Sequence, residues 1–316
     1  MAAKEGVRRG LVLAGLASVS LVLLGVCFAP PAVARTRCSY SGAPSNTLTV
    51  RSDGNLAEIT RRGQRIVVRE FLGSPRTCSG GVPTVLNTDT IEVLLDMGGF
   101  ADLLLKGGPF APGATPESEG ASEIEVEFVG PDILATVDGT TRADEFRWGP
   151  GPDRRAGLNL NPGVAADEDV DVTVRGEFAS LQADGHRGND SILPAFGPLF
   201  PAHDGVFSTG GRGRDRLVAP RNSGGLLEGG PGDDVLIGGG RGDWLFGGGG
   251  KDQLKGARGN DRIEAGPGRD VIRAGPGHDH IEARDSTRDI VRCGPGPDFV
   301  KADSRDRLRG CEAVRR

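Results

Sequence analysis

The sequence predicts an all-β protein: a right-handed parallel β-solenoid with a disulfide-clamped N-terminal cap. Three observations carry that expectation. A nine-residue phrase repeats from Gly229 to Leu308, opening as Gly229-Gly230-Pro231-Gly232-Asp233-Asp234-Val235-Leu236-Ile237 and returning at Gly238, Gly247, Gly256, Ala265 and Ala274. Glycine makes up 52 of 316 residues while aromatics are only 5%, so any core is thin and aliphatic. Five cysteines, four of them beyond residue 34, suggest covalent clamps in an exported chain.

Each place in the nonad has a physical reading. Glycines at the first, second and fourth places let the backbone turn tightly and aim its carbonyls at a shared centre. They are Gly229, Gly230 and Gly232; Gly238; Gly247, Gly248 and Gly250; Gly256 and Gly259; Gly266 and Gly268; Gly275 and Gly277. The sixth place is Asp234, Asp243, Asp252, Asp261, Asp270 and Asp279. After a one-residue slip the phrase continues at Asp289 and Asp298, and Asp215 holds the sixth place of an earlier full nonad, Gly210 to Val218. Carboxylates beside carbonyls form a hard oxygen donor set that suits Ca2+ better than a softer metal. Two residues after each Asp comes an aliphatic residue such as Leu236 or Ile263, the inward middle of a three-residue strand. Turn, strand, turn, strand makes a coil of about eighteen residues, and stacked coils form two parallel sheets rising about 4.8 Å per step. A glycine-rich linker, the plainer reading, has no reason to keep Asp and an aliphatic residue in phase.

The phrase resembles the RTX, or haemolysin-type, calcium-binding repeat GGxGxDxUx of secreted bacterial proteins. The resemblance implies Ca2+ as the bound ion, held between like turns of successive coils. Asp234, Asp252 and Asp270 would then line one edge and Asp243, Asp261 and Asp279 the other, giving roughly four well-formed sites. Arg241 departs from the pattern, as do Ala257, Ala265 and Ala274 where glycines belong.

From its beginning, the chain reads in four parts. Residues 1–34 form a signal peptide: Lys4, Arg8 and Arg9 precede an apolar run from Leu11 to Phe28, and Ala32-Val33-Ala34 offers a cleavage site. An uncleaved anchor is the competing reading, because the run approaches spanning length. Cleavage removes Cys27 and leaves three possible pairings, of which the separations favour Cys38 with Cys78 and Cys293 with Cys311. Lys4, Glu5, Arg8 and Arg9 leave the whole-chain totals of 38 basic and 43 acidic residues, so the mature chain holds 35 and 42 and a net charge of −7. That balance disfavours nucleic acid as a partner. Residues 35–87 read as an N-terminal β cap, with strands near 48–50, 56–60 and 65–69 and a hairpin turn at 61–64. Residues 88–203 form an irregular solenoid with steps such as Asp144/Phe146 and Asp190/Ile192, a mobile loop at 109–122 and an acidic run at 167–171. Residues 204–316 are the calcium-binding β-roll with its C-terminal cap, whose closing run resembles that of small exported RTX-like proteins of high-GC bacteria.

No catalytic motif stands out, and the reading is of an extracellular structural or interaction module, a monomer with no membrane span after cleavage. The alternative is a polysaccharide-active β-helix enzyme of lyase or epimerase type, centred on Arg142, Asp144 and Arg147. Cell-wall or extracellular glycans are the expected macromolecular partners, with Trp244 an outward aromatic that could stack on sugar rings. His278 and His280 are expected at the surface, and Arg241-Gly242-Asp243 is read as a coincidental integrin tripeptide because Asp243 is in phase as a ligand.

Overall fold

The nonad's single inward aliphatic, flanked by outward polar neighbours, restricts each strand to about three residues before glycine turns the chain again. The computed structural model shows the result. It describes residues 36–43, 45–52, 57–70, 74–84, 88, 90–95, 99–104, 125–130, 133–139, 142–150, 156–159, 172–175, 180–194 and 205–316. The signal segment, the loop at 109–122 and the acidic run at 167–171 lie outside these residues.

Among the described residues two long sheets run side by side, one of 14 strands and one of 12. In the C-terminal half the larger sheet stacks β15 (Arg216–Val218), β17 (Val235–Ile237), β19 (Gln253–Lys255), β21 (Val271–Arg273), β23 (Ile290–Arg292) and β25 (Arg307–Arg309), all parallel. The smaller stacks β14 (Val206–Thr209), β16 (Gly225–Pro231), β18 (Trp244–Gly249), β20 (Arg262–Glu264), β22 (His280–Ala283), β24 (Phe299–Ala302) and β26 (Ala313–Arg315) in the same sense. The chain alternates between sheets, so each coil contributes one strand to each. Register places Leu217, Leu236, Leu254, Ile272 and Val291 in one buried file and Leu227, Leu245, Ile263, Ile281 and Val300 in the other. These facing files are the core.

The N-terminal region continues the solenoid's two sheets and closes them at this end. β2 (Thr47–Ser52) and β3 (Ala57–Arg62) pair in parallel with β5 (Thr90–Leu95) and β6 (Gly99–Leu104), and so already form the first coil. β1 (Arg37–Ser41) and β4 (Arg65–Glu70) fold back antiparallel on them at the two sheet ends, and the 74–84 segment bridges to the outer side of both, Ser79 to Ser39 and Pro75 and Thr84 to Arg69 and Arg65, which covers those edges. Cys38 is disulfide-bonded to Cys78, fixing the 74–84 segment against β1.

The middle coils come from β7 (Glu125–Val129), β8 (Ile133–Asp138), β9 (Glu145–Pro150), β12 (Ser180–Asp184) and β13 (Ser191–Pro194). Here the larger sheet departs from a plain solenoid. β10 (Ala156–Asn159) runs antiparallel between β9 and β11 (Val172–Arg175), and β11 returns to parallel pairing with β7. At the far end Cys293 bonds Cys311, and the last coil stays in register and ends in the exposed strand β26.

Candidate metal centre

Most turns between the sheets of the C-terminal half close on an aspartate whose carboxylate reaches toward the neighbouring coil. One oxygen of each is a structural link. The Asp215 N–H donates to Asp234 Oδ1 at 2.8 Å, Asp234 to Asp252 at 2.9 Å, Asp252 to Asp270 at 2.8 Å and Asp270 to Asp289 at 2.9 Å. On the opposite edge Asp243 donates to Asp261 at 2.9 Å, Asp261 to Asp279 at 2.9 Å and Asp279 to Asp298 at 3.0 Å. The nine-residue period thus sorts the aspartates into two rows, with alternate repeats on each.

The second oxygen is left over. Oδ2 of Asp190, Asp215, Asp234, Asp252, Asp270 and Asp289 in the first row, and of Asp261, Asp279 and Asp298 in the second, is buried and has no hydrogen-bond partner. A buried carboxylate oxygen without a partner is costly, and a bound cation is a group that would satisfy it. Around these oxygens the glycine backbones of successive coils lie very close. A Cβ at Gly250 would stand 1.6 Å from the Gly232 carbonyl oxygen, and one at Gly268 would stand 1.5 Å from that of Gly250. The second place of these turns has a left-handed backbone, at φ 100° in Gly230 and 97° in Gly248. Ala257 adopts the same conformation at φ 81°, an unfavourable one for a side chain, whereas Ala265 and Ala274, at the first place, are buried core residues outside the left-handed region.

Where the glycine pattern lapses, other groups enter the turn, satisfying Asp243 Oδ2 in one case and leaving Asp270 and Asp289 Oδ2 without a partner in the other. In the turn holding Arg241, Asp243 Oδ2 accepts the Gly239 N–H at 2.8 Å, and the preceding turn of that row offers no aspartate. In the turn before Asp289, Asp285 Oδ2 accepts the Gly268 N–H at 2.7 Å, and Thr287 Oγ1 bonds both the Gly268 carbonyl and Asp285. Side-chain groups fill the interval that glycine carbonyls line elsewhere.

Burial raises the carboxyl pKa values throughout. Desolvation, with neighbouring carboxylates of the row adding to it, pushes Asp234 and Asp270 to about 7. Asp190 and Asp243 also reach about 7, and Asp252, Asp261, Asp279 and Asp289 about 6, with burial the first cause in each. Metal-free, the rows resist full ionisation near neutral pH; a divalent cation removes that resistance. The donors are all carboxylate or carbonyl oxygen, which fits a hard ion that accepts many oxygen ligands in flexible geometry.

Fold and site together define a calcium-binding β-roll. Residues 228–263 and 256–285 match the family model described as RTX calcium-binding nonapeptide repeat (4 copies). The chain finds no match among curated proteins. Residues 228–285 therefore carry RTX calcium-binding repeats, and Ca2+ is their ion.

The first row extends further than the sequence reading took it. The Asp190 N–H donates to Asp215 Oδ1 at 2.7 Å, and the Asp144 N–H to Asp190 Oδ1 at 2.8 Å. The signal was the partial nonad Gly185 to Leu193, in which His186 occupies the second place at φ 65°. Asp144 thus stands at the head of the row, while the side chain of Arg147 lies outside the described residues. A further group escaped sequence reasoning because its members are distant in the chain: ligand atoms of Asp138, Asp184 and His186 lie within 4.8 Å of one another. His186 Nε2 is 3.4 Å from Asp138 Oδ1, an ion-pair geometry. Trp244 is 53% exposed, in edge contact with Phe246 and under the Arg262 guanidinium. His278 is exposed and His280 stacks on Phe299 at 5.0 Å. Asp243 is fully buried, so the Arg-Gly-Asp tripeptide offers no carboxylate to a receptor.

Proposed function

We propose that this is an exported calcium-binding β-roll protein whose ions complete its fold outside the cell, where it acts as a structural or interaction module. The observation that carries the reading is the set of buried, partnerless Oδ2 atoms in register with glycine-lined turns. The ions sit between neighbouring turns of like conformation: Asp190/Asp215, Asp215/Asp234, Asp234/Asp252 and Asp252/Asp270 on one edge, Asp261/Asp279 and Asp279/Asp298 on the other. The glycines at the first, second and fourth places supply the carbonyl ligands. Titration calorimetry of the purified chain should therefore count about six Ca2+, and a count of one or none would sink the assignment.

Export is supported by the basic-then-apolar character of residues 1–34 and by two disulfides, which persist in oxidising compartments. Residues 35–87, 88–203 and 204–316 then serve as opening coil, irregular solenoid and calcium roll. Fractionating cells and sequencing the mature N-terminus tests this. The reading requires the protein in the medium or wall, cut near Ala34; retention in the cytoplasm contradicts it.

A further inference from the structure

Parallel register stacks outward side chains of successive coils directly over one another, and on one face of the roll this produces files of cations. Lys255, Arg273, Arg292 and Arg309 stand in register on β19, β21, β23 and β25. Lys251, Arg269 and Arg288 each lie two residues ahead of their strand, and all seven side chains are exposed. Among the described residues no ion pair joins any of the seven to a carboxylate. The ion pairs of the roll are Arg214 with Asp233, one coil earlier, and Lys301 with Glu282 on the opposite sheet. That opposite face mixes its charges, with Arg262 beside Glu264 and Glu282 beside Lys301. The mature chain carries net negative charge, so a one-signed basic face is not what composition alone would scatter there.

Like charges placed directly opposite across strands repel. An anionic partner relieves that repulsion, and the geometry says what kind. The cations recur along the solenoid axis at about 4.8 Å per coil, so a small anion would meet only one or two of them, whereas an extended polymer meets the whole file. Between the files lies a groove of about 340 Å³ bordered by Lys251, Arg269, Arg288 and Arg307, with Val271, Ile290 and the buried Asp270, whose carboxylate belongs to the calcium row, also lining it. Ile290 is 39% exposed. An apolar strip between cations matches a sugar ring, which presents C–H faces between its charged substituents. The face holds no aromatic residue on which a nucleic-acid base could stack.

We propose that the outward face of β19, β21, β23 and β25 binds a linear acidic polysaccharide lying along the solenoid axis. The proposal rests on the calcium reading in that the files exist only once the coils are stacked. The test is fluorescence anisotropy of end-labelled hyaluronan and heparin fragments with the purified chain, in millimolar Ca2+ and in chelator, at low and high salt. The two glycans separate a carboxylate preference from a sulfate preference. Binding should weaken steeply with salt and fall about tenfold or more in an Arg273→Gln/Arg292→Gln double variant. An Arg262→Gln/Lys301→Gln double variant on the other sheet should bind as the parent does. No binding of either glycan in Ca2+, equal losses in both variants, or tighter binding of single-stranded DNA or anionic vesicles overturns the proposal. Circular dichroism on the same samples separates the two readings. A roll that winds with Ca2+ but ignores the glycans defeats this proposal alone, and one that binds them equally in chelator defeats only the calcium dependence.

Discussion

Asp252 has two roles, one for each oxygen. Its Oδ1 accepts the Asp234 N–H and ties two coils together, while Oδ2 is buried without a hydrogen-bond partner and is free to ligate a cation. Asp252→Asn keeps an acceptor for the coil link and places an amide where the ion belongs. Calorimetry should then lose about two Ca2+ with little change in metal-free stability. Asp252→Ala removes both functions and should also cost the metal-free fold about 1–3 kcal/mol; an unchanged calcium count in either variant would contradict the assigned role. The pH dependence follows from the same residues. Their pKa values rise from the ordinary 3.8 to about 7 in Asp234 and Asp270 and about 6 in Asp252 and Asp261, so the folded metal-free rows hold protons more tightly than the unfolded chain. That contribution to stability is fully present below the unfolded pKa and is lost as pH rises through about 6 to 7. In chelator the thermal midpoint should therefore be higher at pH 5 than at pH 8. In limiting Ca2+ the order reverses, because protons displace the ion; a metal-free midpoint that climbs with pH would refute the account.

At the scale of the element, the roll was legible because one period fixes everything about it. Asp at every ninth residue with an aliphatic two places on dictates turn, strand, sheet and row together, as Asp234/Leu236 and Asp243/Leu245 show on opposite edges. The antiparallel strand β10 carries no such signal, since a four-residue run around the buried Leu158 looks like any short apolar run. The self-filled interval at Asp285 and Thr287 was equally opaque, because a turn lacking glycine reads as a defect until its hydrogen bonds are seen. Both disulfides fall where cysteine spacing favoured them, and the C-terminal one closes a separation of 18 residues between the core residue Cys293 and Cys311. Cys311→Ser should therefore lower stability by about 3 kcal/mol through the unfolded chain. Because the final turns lie beside the Asp279/Asp298 interval, that variant should need more Ca2+ to reach the same thermal midpoint. Equal calcium dependence with and without the disulfide would show the two clamps to be independent.

For the whole molecule, the question is what holds a thin, glycine-rich stack together. The facing files of Leu, Ile and Val bury one side chain per strand, which is little to set against the conformational freedom of so many glycines. Each ion at tenfold saturation adds about 1.4 kcal/mol, so several together are comparable with the stability of an ordinary domain. Extracellular modules bind Ca2+ near about 10⁻⁴ to 10⁻³ M, so the chain would stay loose while ions are scarce and wind where they are plentiful. The opening and middle coils have longer strands and a core that includes Phe128 and Phe146, so they should depend less on the ions. Hydrogen exchange resolved along the chain tests the difference most directly, comparing chelator with millimolar Ca2+. The account predicts that amides of β2, β5, β7 and β8 are protected in both conditions, while those from Asp215 to Asp298 gain protection only with Ca2+. Equal protection of the roll in chelator would contradict the claim that calcium winds it.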